Sequence, residues 1–375
     1  MVQHEINLPE GWVLKQIKDV APLQRGFDLP ASKVVSGKYP VCYSNGIANY
    51  HNEFKAEGPG VFTGRSGTIG NVFYVKENYW PHNTSLWVTD FKGNDRKFVY
   101  YLYQQVKLDR FNAGTGVPTL NRNDVHVHKI PIPKSAVEQQ KIASILSTWD
   151  KAIELKEKLI EQKKEQKKGL MQKLLTGEMR LPGFDREWKE VILGSVLKER
   201  KEIGFDYLEL LAITSNKGVV RRTEVDIKDN SSEDKSKYKR ILPNDIGYNT
   251  MRMWQGVSGV SKYEGIVSPA YTILIPTEKV NPEFIGYLFK HPKVVNLFKR
   301  HSQGLVSDTL NLKYENFKVI KLVMPLDIEE QKRISEVLLC IDKEIEALQR
   351  EVAAFISQKR GLMQSLLTGK VRVKV

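Results

Sequence analysis

The sequence contains very little cysteine: only Cys42 and Cys340 occur among its 375 residues. Two cysteines so far apart provide neither a disulfide framework nor the paired spacing of a zinc site. We therefore expect both thiols to be reduced and buried, as in a cytoplasmic protein. A run of about 18 uncharged apolar residues is also absent, and the first residues, Met-Val-Gln-His-Glu, lack the pattern of a signal peptide. These absences predict a protein of the cytoplasm with no membrane partner.

The motifs of common catalytic sites are missing as well. The sequence has no G-x-x-x-x-G-K-[ST] phosphate loop, no G-x-S-x-G elbow and no H-E-x-x-H helix. The segment Asn281-Pro-Glu-Phe284 departs by one residue from the N-P-P-[YF] of amino-methyltransferases, and it indicates a capped helix start instead. No grouping of carboxylates with a lysine suggests a Mg²⁺ site. We therefore expect no catalytic residue, no metal ligand and no cofactor in this chain.

The sequence does have an excess of positive charge. It carries 58 Lys and Arg against 44 Asp and Glu, which gives a net charge of +14. The excess is spread along the chain instead of being held in a tail, and it favours a polyanionic partner such as nucleic acid or an anionic membrane surface. A hydrophobic content of 41% is enough for ordinary folded cores.

A long internal repeat organises the chain. Residues from Glu138 read EQQKIASILSTWDKAIE and end in GLMQKLLTGEMRL, and residues from Glu330 read EQKRISEVLLCIDKEIE and end in GLMQSLLTGKVRV. The offset is 192 residues, without a gap. The repeat predicts four segments: a first mixed domain in 1–137, a first long helix in 138–180, a second mixed domain in 181–328 and a second long helix in 329–375.

The mixed segments predict strands separated by tight turns. Strand-like runs occupy 60–75, 80–88, 248–260 and 265–275, and helical patterns occupy 97–108 and 282–297. The fold class is therefore α/β or mixed α+β. Similar helices joined to divergent domains predict a shared helical scaffold that carries two domains with different binding specificities.

The helices have apolar residues at alternating spacings of three and four, which is typical of a coiled-coil seam. The predicted seam residues are Ile142, Leu146, Trp149, Ile153 and Ile160 in the first helix and Ile334, Leu338, Ile341, Ile345, Leu348, Val352 and Phe355 in the second. We expect the helices to form an antiparallel pair. The alternative is that each helix packs only on its own domain.

Three lysines interrupt the seam of the first helix. Lys156, Lys163 and Lys167 occupy seam positions, from which they can extend to solvent or to glutamates such as Glu344 and Glu351. We expect replacement of all three lysines by leucine to raise thermal stability.

Polar residues beside glycines are the candidates for reading DNA. Arginine pairs with guanine, and asparagine or glutamine pairs with adenine, whereas hydroxyl groups bind phosphates. The candidates are Arg65, Ser66, Thr68, Asn83, Thr84, Arg252, Gln255 and Ser258. A turn or strand-end role is an alternative for each. His126 and His128 alternate on a predicted strand, and we assign them no metal.

Together these features resemble the specificity subunit of type I restriction-modification systems. The resemblance rests on the repeated helices, on Arg65-Ser-Gly-Thr-Ile-Gly70 with Asn83-Thr-Ser85, and on Asn249-Thr-Met-Arg-Met-Trp-Gln-Gly256 with Ser268-Pro-Ala-Tyr271. It implies two target-recognition domains that read a split sequence in double-stranded DNA, held apart by an antiparallel coiled coil.

The resemblance also implies partners. It implies two copies of a modification (adenine methyltransferase) subunit docked on the helices, together with restriction subunits. S-adenosylmethionine, ATP and Mg²⁺ then belong to those partners, and this chain is a non-catalytic subunit. Two alternatives remain: a self-sufficient DNA methyltransferase or nuclease with an unrecognised site, and a coiled-coil adaptor that does not read DNA.

Overall fold

The computed structural model describes residues 8–114, 116–225, 232–306 and 309–374. The chain divides into two compact units. Unit 1 comprises Met1–Lys158 and Gln349–Val375, and unit 2 comprises Leu159–Leu348. Each unit therefore contains one mixed domain and one half of each long helix, so its boundaries fall inside the helices.

The mixed domain of unit 1 contains nine strands and three short helices in its described residues. The strands are β1 (Trp12–Gln16), β2 (Leu23–Arg25), β3 (Tyr39–Tyr43), β4 (Gly46–His51), β5 (Gly60–Gly64), β6 (Val72–Val75), β7 (Trp80–Pro81), β8 (Ser85–Val88) and β9 (Lys129–Pro133). The helices are α1 (Ile17–Val20), α2 (Arg96–Val106) and α3 (Arg122–His126). The predicted strands in 60–75 and 80–88 and the helix in 97–108 are confirmed.

Three sheets form this domain. An antiparallel four-stranded sheet has the order β2-β8-β5-β6, and a three-stranded sheet has the order β4-β3-β7 with β3 and β7 parallel. Strand β1 pairs with β9, which brings the start of the domain beside the strand that leads into the long helix. The long helix α4 (Ala136–Leu174) then begins.

The mixed domain of unit 2 repeats this plan. Its described strands are β10 (Lys189–Ile192), β11 (Leu197–Arg200), β12 (Leu211–Thr214), β13 (Gly218–Arg221), β14 (Lys239–Ile241), β15 (Ile246–Asn249), β16 (Ser258–Val260), β17 (Gly265–Val267), β18 (Tyr271–Pro276) and β19 (Lys321–Met324). The helices are α5 (Leu193–Val196), α6 (Pro282–Leu288), α7 (Pro292–His301), α8 (Tyr314–Phe317) and the long α9 (Ile328–Leu366). Its antiparallel four-stranded sheet has the order β11-β18-β15-β16.

Two local expectations are wrong. The single helix expected over 282–297 is two helices, because Pro292 starts α7 after His291 caps it. His126 lies at the end of α3 and not on a strand, because the Asn121 side chain caps that helix by accepting from the N–H of Asn123.

The two thiols also differ from each other. Cys42 is buried in unit 1, but Cys340 is exposed, which contradicts the expectation of two buried thiols. Cys340 lies on α9 between the inward-facing Leu338 and Ile341, one residue away from the apolar seam.

The long helices pair antiparallel in each unit. In unit 1 the Trp149 and Phe355 rings meet edge to face with centroids 5.3 Å apart. In unit 2, Lys163 contacts Glu344 at 2.6 Å, whereas Lys167, further along α4, contacts Asp342, which lies earlier on α9. As residue numbers increase along α4, the residue numbers of the contacted positions on α9 decrease, so the two helices are antiparallel.

The seam residues are withdrawn from water to different degrees. Those buried are Ile142, Leu146, Ile160, Ile334, Leu338, Ile341 and Ile345. Those half-buried are Trp149, Ile153, Leu348, Val352 and Phe355. The ends of the helices are also built into the domains, since Ile142, Leu146 and Leu366 belong to the core of unit 1. The core of unit 2 likewise includes Leu174, Ile334 and Leu338.

Candidate nucleic-acid interface

Equivalent sheet edges carry the candidate DNA-reading loops in the two domains. In unit 1, β5 and β8 are adjacent antiparallel strands, so the end of β5 lies beside the start of β8. In unit 2, β15 and β18 are adjacent and antiparallel in the same way. The loop after β5 or β15 and the loop before β8 or β18 therefore form one edge in each domain.

At the edge in unit 1, the structure brings Arg65, Ser66, Asn83 and Thr84 together. The Arg65 N–H donates to the Thr84 carbonyl at 2.8 Å, and its Nε donates to the Asn83 carbonyl at 2.9 Å. The Ser66 N–H donates to the same Thr84 carbonyl at 3.3 Å. Within the described residues the two terminal nitrogens of the Arg65 guanidinium have no other partner, so they remain free to donate.

An acidic residue that the sequence did not reveal holds this edge. The Asn83 amide donates to Asp28, which also binds Arg25 at 3.0 Å. His82 bonds Thr84 Oγ1 through Nδ1 at 2.9 Å, and burial lowers the pKa of its imidazole. These contacts fix the orientation of the Asn83 and Thr84 side chains. Asp28 lies far from both motifs in sequence, so no local pattern indicates its role.

The loop that returns from β5 depends on Gly64. A Cβ atom at this position would lie 1.7 Å from the Thr68 carbonyl oxygen, so only glycine permits the close approach. Thr68 itself is exposed at the tip of the loop. It is therefore accessible to a ligand but is not held by the Arg65 cluster.

At the edge in unit 2, Thr250 takes the place of Arg65. Its N–H and its hydroxyl both donate to the Ala270 carbonyl, at 3.2 and 2.7 Å. Arg252 precedes the short 3-10 turn Met253–Gln255 and Gln255 ends it; both are exposed, whereas Met253, the first residue of the turn, is buried. Both side chains point into solvent with no partner among the described residues.

Ser258 does not belong to this exposed set. It is 1% exposed and its hydroxyl donates to the Gly256 carbonyl at 3.3 Å. Because Ser258 begins β16 and faces the interior, this structure does not offer its hydroxyl to a phosphate, contrary to the sequence-based expectation.

The junctions between domains and helices are the same in both units. In unit 1, Arg372 binds Glu138 through two bonds of 2.6 and 2.9 Å, and the Trp12 indole donates to the same carboxylate at 3.2 Å. In unit 2, Arg180 binds Glu330 at 2.7 and 2.9 Å, and the Trp188 indole donates at 3.2 Å. Both carboxylates are almost fully buried, at 2% and 1% exposure. The arginine after the end of one helix thus closes on the glutamate at the start of the other.

A second repeated junction lies one third of the way along each helix. In unit 1, Asp150 accepts from the Tyr101 hydroxyl of α2 and from Lys359 of α9, both at 2.5 Å. Burial, reinforced by the hydrogen bond to Asp150, raises the pKa of Tyr101. The repeated aspartate therefore ties each domain to both helices.

The equivalent junction in unit 2 uses the same residue types. Asp342 accepts from the Tyr287 hydroxyl of α6 at 2.7 Å and from Lys167 of α4 at 2.6 Å. Burial, with the hydrogen bond to Asp342, raises the pKa of Tyr287 as well. Lys167 thus has a carboxylate partner on the facing helix, as Lys359 has in unit 1.

The other seam lysines have acidic partners too. Lys156 pairs with Glu351 in unit 1, and Lys163 pairs with Glu344 in unit 2. The expectation that these lysines reach those glutamates is confirmed. The lysine-interrupted part of the seam is therefore polar and paired.

Within the described ranges no group of three or more His, Cys, Asp or Glu side chains is arranged to hold a metal ion. The described helices include none that is long and apolar enough to cross a membrane.

These features define a class of protein: two mixed domains of one plan that present unlike polar loops and share a repeated helical frame. Comparison with known proteins agrees with this class. The family model described as "Type I restriction modification DNA specificity domain" matches residues 9–164. The chain is 28% identical over 305 residues to the type I restriction enzyme MjaVIII specificity subunit of Methanocaldococcus jannaschii, which covers 73% of this chain and 70% of that protein.

Further matches extend over nearly the whole chain. The putative type I restriction enzyme MjaX specificity subunit of the same organism is 25% identical and covers 98% of this chain and 95% of its own length. The crystal structure of the type I restriction-modification S subunit from M. genitalium superposes with a TM-score of 0.63 at 17% identity, and covers 98% of both chains. In sequence and fold the chain is therefore similar to type I restriction-modification specificity subunits.

Proposed function

We propose that this chain is the sequence-specific DNA-binding subunit of a type I restriction-modification complex, and that each mixed domain reads one half of a bipartite target. The observation that carries this proposal is the contrast at the two equivalent sheet edges. The strand plan is the same, but the polar side chains at the edge differ: the half-buried Arg65 and Asn83 in unit 1, and the exposed Arg252 and Gln255 in unit 2. Two domains with the same strand plan but different side chains at the sheet edge suit the recognition of two different half-sites.

The chemistry of these side chains matches the edges of bases in the major groove. The free terminal nitrogens of Arg65, and the unpartnered guanidinium of Arg252, suit the two acceptors of guanine. Asn83 and Gln255 suit adenine, although the Asn83 amide must first exchange its bond to Asp28. Thr68 and Thr84 are then phosphate contacts that set the orientation of the domain.

The helices supply the second part of the proposed function, which is assembly with partner subunits. Leu155 and Leu159 on α4 and Ile356 on α9 are exposed although they are apolar and lie outside the seam. Apolar side chains exposed on long helices are typical of surfaces that other subunits cover. Two copies of a modification subunit, one for each repeat, are the proposed occupants, with restriction subunits joining that core.

The chemistry is assigned to those partners. We propose that S-adenosylmethionine is bound by the modification subunit, and ATP and Mg²⁺ by the restriction subunit, so that this chain contributes target choice and no catalytic group. Because its substrate is the DNA of the host cell, we place the complex in the cytoplasm.

Exchange of one domain tests the reading of DNA. Residues 1–137 are replaced by the recognition domain of another family member, and methylated sites are mapped across host DNA. One half of the target is expected to change while the other half and the gap stay the same. The reciprocal exchange of 181–328 is the matched control and should change only the other half. If the methylated target sequence is unchanged after both exchanges, direct readout by these domains is contradicted and the role of an adaptor is favoured.

A second measurement separates this function from an enzymatic one. The purified full chain is incubated with target DNA and labelled S-adenosylmethionine, with and without the modification subunit. Methyl transfer is expected only when both are present. Transfer by the chain alone would show that it has its own active site.

A further inference from the structure

A groove in unit 2 is unusually rich in lysine. It has a volume of about 480 Å³ and lies between the β12–β13 turn, the start of β16, helix α6 and the end of α4. Four lysines line it: Lys167, Lys217, Lys262 and Lys290. Glu283 is the only carboxylate among its lining residues. Since Asp342 pairs with Lys167, three cations remain to be accounted for.

Lys290 is the most constrained of the three. It lies two residues after the end of α6, and its ammonium group donates to the Gly256 carbonyl at 2.7 Å and to the Ser215 carbonyl at 3.3 Å. It forms no ion pair within the described part of the chain. Burial lowers the pKa of Lys290 to about 8, and the neighbouring charge of Lys167 adds to this effect. Lys290 is half-buried, and its ammonium group is held by two carbonyl oxygens and by no described carboxylate, so it adds net positive charge to the groove.

Lys217 and Lys262 stand at the mouth of the groove. Both are exposed, and neither forms an ion pair with a described residue, whereas Lys318 and Lys321 elsewhere in the same unit pair with Glu315 and Glu190. Between them β13 and β16 pack closely backbone to backbone, because a Cβ atom at Gly259 would lie 2.5 Å from the Cα of Gly218. The groove thus offers positive charge on its sides.

The groove is joined to the loop that we assign to base reading. Gly256, whose carbonyl accepts from Lys290, also closes the 3-10 turn Met253–Gln255, because its N–H donates to the Met253 carbonyl. A duplex that presents base edges to that turn carries its phosphates to either side of it. A cationic groove beside such a loop is therefore placed where phosphates of a duplex would pass.

We propose that this groove binds the sugar–phosphate backbone of DNA, with Lys290, Lys217 and Lys262 as the phosphate contacts of the second domain. The inference rests on the proposed function and names the part of the duplex that this surface holds. Lysine suits the role because its ammonium group acts as a compact point charge toward phosphate oxygens. Contacts of this kind set affinity and register but carry no base preference. An acidic segment of a partner subunit is the competing occupant.

Chemical footprinting of the unmutated protein tests the proposal. The full chain, assembled with its modification subunit, is acylated with an amine-reactive reagent near pH 8 with and without target DNA, and each lysine is quantified by mass spectrometry. An anion beside Lys290 favours its charged form, which reacts poorly. We expect DNA to reduce acylation of Lys290, Lys217 and Lys262 by at least about threefold. The paired Lys318 and Lys321 are controls that should not change.

The other outcomes of this experiment overturn the proposal. If the three lysines keep their reactivity while DNA is bound, the groove does not contact the duplex. If the modification subunit alone protects them and DNA adds nothing, the occupant is a protein. Because no residue is altered, a loss of folding does not interfere with either conclusion.

Salt dependence gives a second, quantitative readout. Binding of target and unrelated DNA by the Lys290→Met variant and by the Lys217→Ala/Lys262→Ala variant is measured against salt concentration. Each lost phosphate contact is expected to reduce the slope of log affinity against log salt by about 0.9, equally for both DNAs. Lys318→Met is the matched control. Unchanged slopes would refute the proposal that the groove binds the DNA backbone. If the wild-type complex binds no DNA at all, the proposed function itself is refuted.

Discussion

The helix–domain junctions are alike in the two units, whereas the sheet edges that carry the candidate DNA-reading loops, here called the reading edges, differ. At the junctions, Glu138, Arg372 and Trp12 in unit 1 make the same contacts as Glu330, Arg180 and Trp188 in unit 2, with bond lengths that agree within 0.1 Å. At the reading edges the strand plan is the same, but hardly any side chain is shared. The frame is therefore fixed by repeated, buried contacts, and the variation is confined to exposed loops.

This contrast means that the loops of a domain can differ while the junction contacts stay the same. The repeated carboxylates bind residues that lie in or next to the repeats, whereas Trp12 and Tyr101 are the principal side chains that a domain must supply to unit 1. A domain that keeps these two anchors is free to change its loops. Four measurements test whether the buried junctions and the exposed loops differ in this way.

The largest effect is expected from a buried junction carboxylate. Glu330→Ala removes the acceptor of Arg180 and Trp188 and should cost about 3 kcal/mol of unfolding free energy, because one partner of a buried ion pair is lost. Urea denaturation, with hydrogen exchange to locate the effect in unit 2, measures it. Glu329→Ala is the control, since Glu329 is exposed, pairs only with Lys332 and should cost less than about 0.5 kcal/mol. Similar losses for both variants would contradict the assignment.

The next effect concerns an exposed reading side chain. Arg252→Ala is expected to weaken target binding by about 1–3 kcal/mol and to relax the second half-site only, since a bidentate contact to a base is lost. Binding to targets substituted at each position measures it. Ser258→Ala is the matched control, because that hydroxyl is buried. An equal loss on unrelated DNA would indicate a phosphate contact and contradict base reading by Arg252.

Acid should affect the two units unequally. Burial lowers the pKa of His82, His126 and His128 in unit 1, whereas His291 is the corresponding case among the described residues of unit 2. As pH falls below the ordinary value of 6.5, the unfolded chain binds protons that these folded imidazoles resist. Stability is therefore lost on acidification, and more so in unit 1.

Hydrogen exchange at pH 7 and pH 5.5, corrected for intrinsic rates, compares the units. His126→Gln is the control variant, because glutamine keeps an acceptor for the Leu23 N–H but does not titrate. It should reduce the acid sensitivity of unit 1. A greater acid sensitivity of unit 2 would show that other groups dominate.

The smallest effect is expected at the seam lysines. Lys156→Leu/Lys163→Leu exchanges two half-exposed ion pairs for apolar contacts and should raise unfolding free energy by less than about 1 kcal/mol. Lys167→Leu should lower it, because Asp342 loses a charged partner, so the uniform gain predicted for the three lysines is now limited to two. Thermal unfolding of each variant measures the difference. A clear loss in the double variant would contradict this account of the seam.

Local periodicity made the frame predictable. The spacing of Ile334, Leu338 and Ile341 specifies one helical face, and the repeat points to Arg180 and Arg372 as equivalent positions. Trp12 and Tyr101 were missed because they lie in the divergent domain, where the repeat gives no alignment. Their roles follow only from the packing of the domain on the helices.

The reading edge could be predicted only in part. Arg65 and Asn83 stand in recognisable motifs, but Asp28 joins them through the pairing of distant strands. Ser258 sits among loop residues in the sequence, yet it begins a strand, and its side chain falls on the inner face. One residue of strand register decides between exposure and burial, and a single sequence does not specify it.

Some of the ion pairs between the helices also specify which helix pairs with which. The Asp–Lys and Glu–Arg pairs occur twice, so they are the same whichever helix supplies each member. Lys156–Glu351 and Lys163–Glu344 occur once. At the repeat offset, Leu159 stands in α4 where Glu351 stands in α9, and Ala152 stands where Glu344 does. If α4 paired with a second copy of α4, Lys156 and Lys163 would have no acidic partner. These two ion pairs therefore favour the pairing of α4 with α9 over the pairing of two α4 helices.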